Sequence, residues 1–171
     1  SASHGPHCRA SRAIVQGIQL QWSVMPEMFD LVGVGLNATD TLLIVPRFPA
    51  YGGKETVEEE ILSVGGQVTS AVAACQGLGL KTKYVGTVGD DQRGALQLAS
   101  LRQAGVDVDD VLVRPGIATQ SAYIIVDRLT GERTVFLLRD ERLRLQPEDI
   151  QPEWIAGARM LHIDGHDTQA V

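Results

Sequence analysis

Residues 65–94, GGQVTSAVAACQGLGLKTKYVGTVGDDQRG, decide the fold. Two adjacent glycines, Gly65 and Gly66, precede a run of small residues at 70–78 that suits a helix. Ala71, Ala74, Cys75 and Leu78 fall on one face of it at helical spacing. Small side chains let such a helix lie close to a sheet, and Gly79 supplies its stop. Residues 83–88 (KYVGTV) read as the next strand. Asp90 or Asp91 then caps a second helix running to about Gln103, with Leu96, Leu98 and Leu101 available to a core. Strands alternating with helices point to an α/β sheet with helices on its faces.

The same grammar extends outward. Residues 29–35 (FDLVGVG) form a short apolar run ending in glycine, the pattern of a buried strand. Residues 41–45 (TLLIV) are β-prone and closed by Pro46 and Pro49. The run at 56–64 contains Glu58-Glu59-Glu60, which is compatible with a helix. Glycine pairs bracket it at a strand's length, however, and an exposed strand is the better reading. Downstream, 111–114 is another short strand. Residues 121–127 (SAYIIVD) and 133–138 (RTVFLL) are joined by Leu129-Thr130-Gly131-Glu132, a hairpin signal. Pro147 and Pro152 start short helical pieces. Residues 159–164 (RMLHID) give a further strand, and 168–171 begin an element that does not finish. The extra hairpin strands suggest a flap on the main sheet, and the abrupt end suggests a fragment.

Composition narrows the classes. A chain of 171 residues suits one domain or part of a larger one. With 44% apolar and 21% charged residues it can build a packed core. Its net charge of -6 argues against a general nucleic-acid binder, which needs a basic face. No apolar run approaches the roughly 20 residues of a membrane helix. Cys8 and Cys75 make no disulfide framework, so a reducing cytoplasm is the simpler setting. Residues 1–24 have little pattern, and Gln16, Gln19 and Gln21 interrupt what a secretory signal would need. Residues 1–28 therefore read as an unstructured or artefactual leader, with Met25 or Met28 as a candidate start and organised sequence from Phe29.

Several constellations invite chemistry. Gly33-Val34-Gly35-Leu36-Asn37-Ala38 matches a loose dinucleotide fingerprint, but TLLIV and two prolines follow where that motif needs a helix. Asp40 stands just past a glycine-rich strand end, where ligand crevices open in parallel sheets. Its carboxylate can accept bonds from neighbouring sugar hydroxyls, or it is a turn aspartate. Gly65-Gly66 permits close backbone approach at a helix N-terminus, with Gln67, Thr69 and Ser70 as neutral hydrogen-bonding neighbours; this suits a neutral polyol, or is a plain tight turn. His162, Asp164 and His166 share one face of an extended strand, as in metal-dependent hydrolases. The other histidines, His4 and His7, lie in the leader, and Asp164 as a hydroxyl-binding carboxylate is the preferred reading. Cys75 reads as a core residue. Arg139, Arg142 and Arg144 alternate with acids as a solvated face, from which one arginine could reach an anionic group.

Taken together, GLNATD (35–40), the glycine-rich block 65–94, LRQAGVDV (101–108), the hairpin at 120–143 and MLHIDGHD (160–167) resemble the ribokinase (PfkB) family of carbohydrate kinases. The resemblance runs from residue 29 to 171 and implies a ribokinase-like sheet flanked by helices with a small β-sheet lid, the C-terminal half being absent. It implies that 41–47, 55–64 and 120–138 supply lid strands. Asp40 matches the family's sugar-binding aspartate, Gly65 and Gly66 its glycine pair, and Asp164 a position often acidic in the sugar site. Ser70 stands where the signature usually has asparagine. The family's second signature, a G-A-G-D core carrying the catalytic base and anion hole, does not occur. The resemblance thus implies a parent kinase that uses ATP and Mg2+, both bound mainly by the C-terminal half, to phosphorylate a sugar or nucleoside. No catalytic residue is assigned in this chain, which is expected to be inactive alone. A homodimer through the lid is a further expectation. The alternatives are a non-catalytic sugar-binding or dimerisation module, and a metal-dependent hydrolase using His162 and His166.

Overall fold

The computed structural model describes residues 28–166. Its first layer is a parallel sheet of three strands in the order β4-β1-β9, where β1 is Leu31–Val34, β4 Thr82–Val85 and β9 Leu161–Ile163. Alternation along β1 splits its side chains between two cores. Leu31 joins Val68, Val72, Tyr84, Leu101, Val106 and Val108 on one face. Val32 and Val34 join Phe29, Val85 and Leu145 on the other, against Ile150, Trp154 and Ile155. Covering both faces explains why β1 is a continuous apolar run.

Helix α1 (Gln67–Gly77) lies on the first face. Its buried residues are Val68, Thr69 and Val72, not the face expected from Ala71, Ala74, Cys75 and Leu78. Leu78 is exposed, and Cys75 only packs at the margin of the core. The reason is size: burying the two valines removes more apolar area from water than burying alanines. A Cβ on Gly33 would meet both valines at 2.6 Å or less, so the bare strand lets α1 approach. The stop at Gly79, with φ of 90°, holds as expected.

The run 83–88 is two strands rather than one. It breaks at Gly86 into β4 and β5 (Thr87–Gly89), and β5 pairs with β6 (Leu112–Arg114) as a separate parallel ribbon. Helix α2 (Gln92–Gln103) is capped by Asp91, whose side chain accepts from the Gly94 amide at 2.9 Å. It buries Gly94, Gln97 and Leu101; Leu96 is exposed and Leu98 partly buried.

The second layer is a four-stranded sheet in the order β3-β2-β7-β8, comprising β3 (Glu59–Gly65), β2 (Ala38–Val45), β7 (Ser121–Asp127) and β8 (Arg133–Leu138). This is the expected lid. Its strand at 56–64 begins only at Glu59, and the β7–β8 hairpin has the expected ends. Short 3-10 turns at Glu141–Leu143 and Pro147–Asp149, and the one-turn α3 (Glu153–Ala156), lead back to β9. The β9 strand is an edge of the first sheet, with Leu161 and Ile163 exposed. Among the described residues no helix is long and apolar enough to cross a membrane. His4, His7, Cys8, Asp167 and the start of an element at 168–171 lie outside the described residues.

Candidate functional site

The turn between β1 and β2, residues 35–37, is where both layers meet. Three contacts hold it. A Cβ on Gly66, whose φ is 116°, would sit 2.4 Å from the Leu36 carbonyl oxygen, so only glycine fits there. Asp164 Oδ2, just past β9, accepts the Leu36 amide at 2.8 Å, while its Oδ1 accepts the His166 amide at 2.9 Å. Asn37 is buried and donates from Nδ2 to Tyr84 Oη at 2.8 Å and to the Thr87 carbonyl at 2.6 Å. Tyr84 Oη in turn donates to the Gly35 carbonyl at 2.7 Å.

From that turn β2 carries Asp40 into the lid, opposite Ser63 of β3 and Ala122 of β7. Its neighbours Thr39 and Thr41 are buried toward α2, so Asp40 faces the other way. A Cβ on Gly65 would lie 3.8 Å from Asp40 Oδ2, which places the carboxylate over the glycine pair. Burial raises the Asp40 carboxyl above its ordinary value; the Ala122 amide and the Arg93 charge offset only part of this. The Gly65 carbonyl accepts from Thr69 Oγ1 at 2.6 Å and from Gln97 Nε2 at 3.1 Å, so the glycine is fixed by two helices. No side chain caps α1, which leaves its first-turn N–H groups open.

Asp40, Gly65, Gly66 and Asp164 thus converge on residues 35–40. Ser70 does not join them. It is exposed and lines a groove between α1 and α2 with Gln97 and Ser100. Asn37, Tyr84 and Gln97 escaped the reading of the sequence, because a lone polar residue inside an apolar run carries no sign of its partner. Two of the three arginines in the supposed solvated face, Arg139 and Arg144, line a small cavity beside Asn37.

Among the described residues, His162 and His166 make no metal site. His166 Nδ1 lies 3.2 Å from Arg139 Nη1, a cation where a ligand would face its metal. Among the described residues no group of three or more His, Cys, Asp or Glu could hold an ion.

The architecture is an α/β sheet carrying a β-lid, with Asp40 of the lid lying over the glycine pair at the start of α1. The chain belongs to the pfkB family of carbohydrate kinases, whose model matches residues 28–171. It is 32% identical over 136 residues to the ATP-dependent ribose-1-phosphate kinase of Halopiger xanaduensis, covering 80% of this chain and 46% of that protein. It is 31% identical over 105 residues to the 5-dehydro-2-deoxygluconokinase of Geobacillus kaustophilus, covering 60% of this chain and 31% of that one. The fold is similar to Arabidopsis thaliana ribokinase complexed with ribose and ATP, at a TM-score of 0.66 and 21% identity, over 80% of this chain and 45% of that chain. The chain thus spans less than half the length of these relatives.

Proposed function

We propose that this chain is the acceptor-binding and lid portion of an ATP- and magnesium-dependent kinase that phosphorylates a sugar or nucleoside hydroxyl. The observation that carries this is the Asp40 carboxylate poised over Gly65, with Gly66 and Asp164 both anchoring the adjoining turn. In this reading Asp40 accepts bonds from neighbouring acceptor hydroxyls. The open first-turn amides of α1 add donors, and Asp164 holds the turn and lends its remaining lone pairs. Ser70 contributes only if the groove between α1 and α2 is reached by the ligand. Nucleotide and magnesium are bound mainly by a C-terminal half, and the lid closes to exclude water. The exposed apolar side chains of β8 support a homodimer through the lid. A cytoplasmic setting follows from the need for ATP and fits the free Cys75.

Calorimetric titration of the chain with D-ribose, D-fructose and adenosine tests this. Saturable binding of one of them, abolished in Asp40→Asn, is expected, together with no ADP release from ATP. Phosphorylation by this chain alone would overturn the division of labour. Binding of all three that ignores Asp40 would remove the site.

A further inference from the structure

A second cavity lies on the opposite face of the lid from Asp40, with a volume of 390 Å³. It separates α2 from the root of β7 and β8, and is lined among others by Arg93, Thr119, Ser121, Tyr123, Arg139 and Asp140. The opposition follows from register. Ala122 pairs with Asp40, so Ser121 and Tyr123 point to the other side, where Thr39 and Thr41 are buried. A pocket of this size accommodates a small metabolite.

Its charges are unevenly committed. Asp91, which also lines it, spends its oxygens on the Gly94 amide and on the amide and hydroxyl of Thr119, at 2.6 to 3.0 Å. Asp140 is taken by Arg142, which reaches it through Nε at 2.9 Å and Nη2 at 2.5 Å. The two guanidiniums are less committed. Arg93 donates only to neutral oxygens, the Thr39 carbonyl at 3.1 Å and Tyr123 Oη at 3.3 Å. Among the described residues no carboxylate lies within ion-pair distance of it. Its guanidinium carbon is 5.5 Å from the centre of the Tyr123 ring, which fixes its position. Among the described residues Arg139 reaches only the exposed Glu141, at 3.6 Å, and His166. Ser121 Oγ makes no hydrogen bond among the described residues, although the residue is 4% exposed.

We infer that this cavity is an anion site for the phosphate group of a small metabolite, held by Arg93 and Arg139 with the hydroxyls of Ser121 and Tyr123. A guanidinium with no carboxylate partner among the described residues, Arg93, and a second, Arg139, held only by a long contact to the exposed Glu141, beside the hydroxyls of Ser121 and Tyr123, match the oxygens of a phosphate. A phosphate there bridges α2 of the core to β7 and β8 of the lid, so its occupancy biases the lid's position. The site opens on the other face of the lid from the Asp40 carboxylate, although Arg139 also lines the cavity beside Asn37 and the Arg93 charge is felt at Asp40.

Amide chemical shifts of the isotopically labelled chain, titrated in turn with D-ribose 5-phosphate, inorganic phosphate and D-ribose, test the inference. D-Ribose 5-phosphate is expected to shift the amides of Arg93, Ser121 and Tyr123 saturably. Arg93→Gln and Arg139→Gln should each weaken it at least tenfold, and Asp40→Asn less than twofold. Equal affinity for inorganic phosphate, with the same arginine dependence, supports the site and makes free phosphate its ligand. The inference is overturned if neither phosphate shifts these amides, if the arginine variants bind normally, or if the shifts move to Asp40 and Gly65. Arg93→Lys guards against a folding defect: it keeps the charge and should bind better than Arg93→Gln. D-Ribose alone, read at Asp40 and Gly65, reports on the sugar pocket separately.

Discussion

In the first sheet Val32, Val34, Tyr84 and Val85 are at most 1% exposed, whereas in the lid every residue of β8 is exposed, with Phe136 at 53% and Leu137 at 69%. Both sheets contain apolar runs: LVGV in β1, VFLL within β8. Hydrophobicity therefore did not decide burial; coverage did. The first sheet has α1 on one face and the segment around Leu145 and Trp154 on the other. The lid is held at its root, through Thr39, Ser121 and Ala122, and its outer part waits for something to cover it. A rigid base and a loosely covered lid suit an element that opens and closes.

The largest effect should come at the junction of the two layers. Gly66→Ala forces a non-glycine residue to positive φ and drives a Cβ into the Leu36 carbonyl. A loss of at least about 2 kcal/mol in urea unfolding is expected, together with loss of sugar binding. The core and lid can then be set directly against each other. Val72→Ala in the covered face should cost about 2 kcal/mol, and Leu137→Ala in the lid less than about 0.5 kcal/mol. Equal costs would break the distinction between the sheets. Hydrogen exchange offers a view without substitution: amides of β8 should exchange well before those of β1 and β4.

Asp40→Asn should separate function from stability. A carboxyl whose folded value is raised contributes stability below its ordinary 3.8 and loses it as pH rises through the folded value. Removing the charge should therefore raise the melting temperature at pH 7, by an amount worth less than about 1 kcal/mol given partial exposure, and change nothing near pH 3. Loss of sugar binding is expected in the same variant. The smallest effect is at Asp140, held down to about 2 by Arg142. Its contribution is present above 3.8 and lost as pH falls toward about 2. Asp140→Asn should slightly flatten the acid limb of the stability profile.

Strands, helices and turns were largely legible because their signals are local. The cap at Asp91, the Gly79 stop and the β7–β8 hairpin each sit within a few residues of the feature that announces them. Asp40 and the glycine pair could be singled out, since a carboxylate after a strand and two glycines before a helix are visible as neighbours, and the structure brings them to within 3.8 Å of each other, measured to a Cβ built on Gly65. The buried face of α1 was misjudged because four small residues at good spacing lost to two valines aligned with Gly33, a match that exists only across the α1–β1 contact. Ser70 was grouped with the glycine pair by position and with the sugar site by resemblance; it is exposed and lines the groove between α1 and α2.

The chain's own order of residues determined its α/β alternation, its lid strands and the residue types at the pocket, because propensity, capping and periodicity act over a few residues. Only tertiary structure decided that Asp164 would tie down the turn before Asp40, that Asn37 and Tyr84 would bond to each other beside it, and that Arg93 would meet Tyr123 at the edge of a cavity. Those pairings join residues 30 to 128 positions apart, where register and packing, not local preference, set which groups meet.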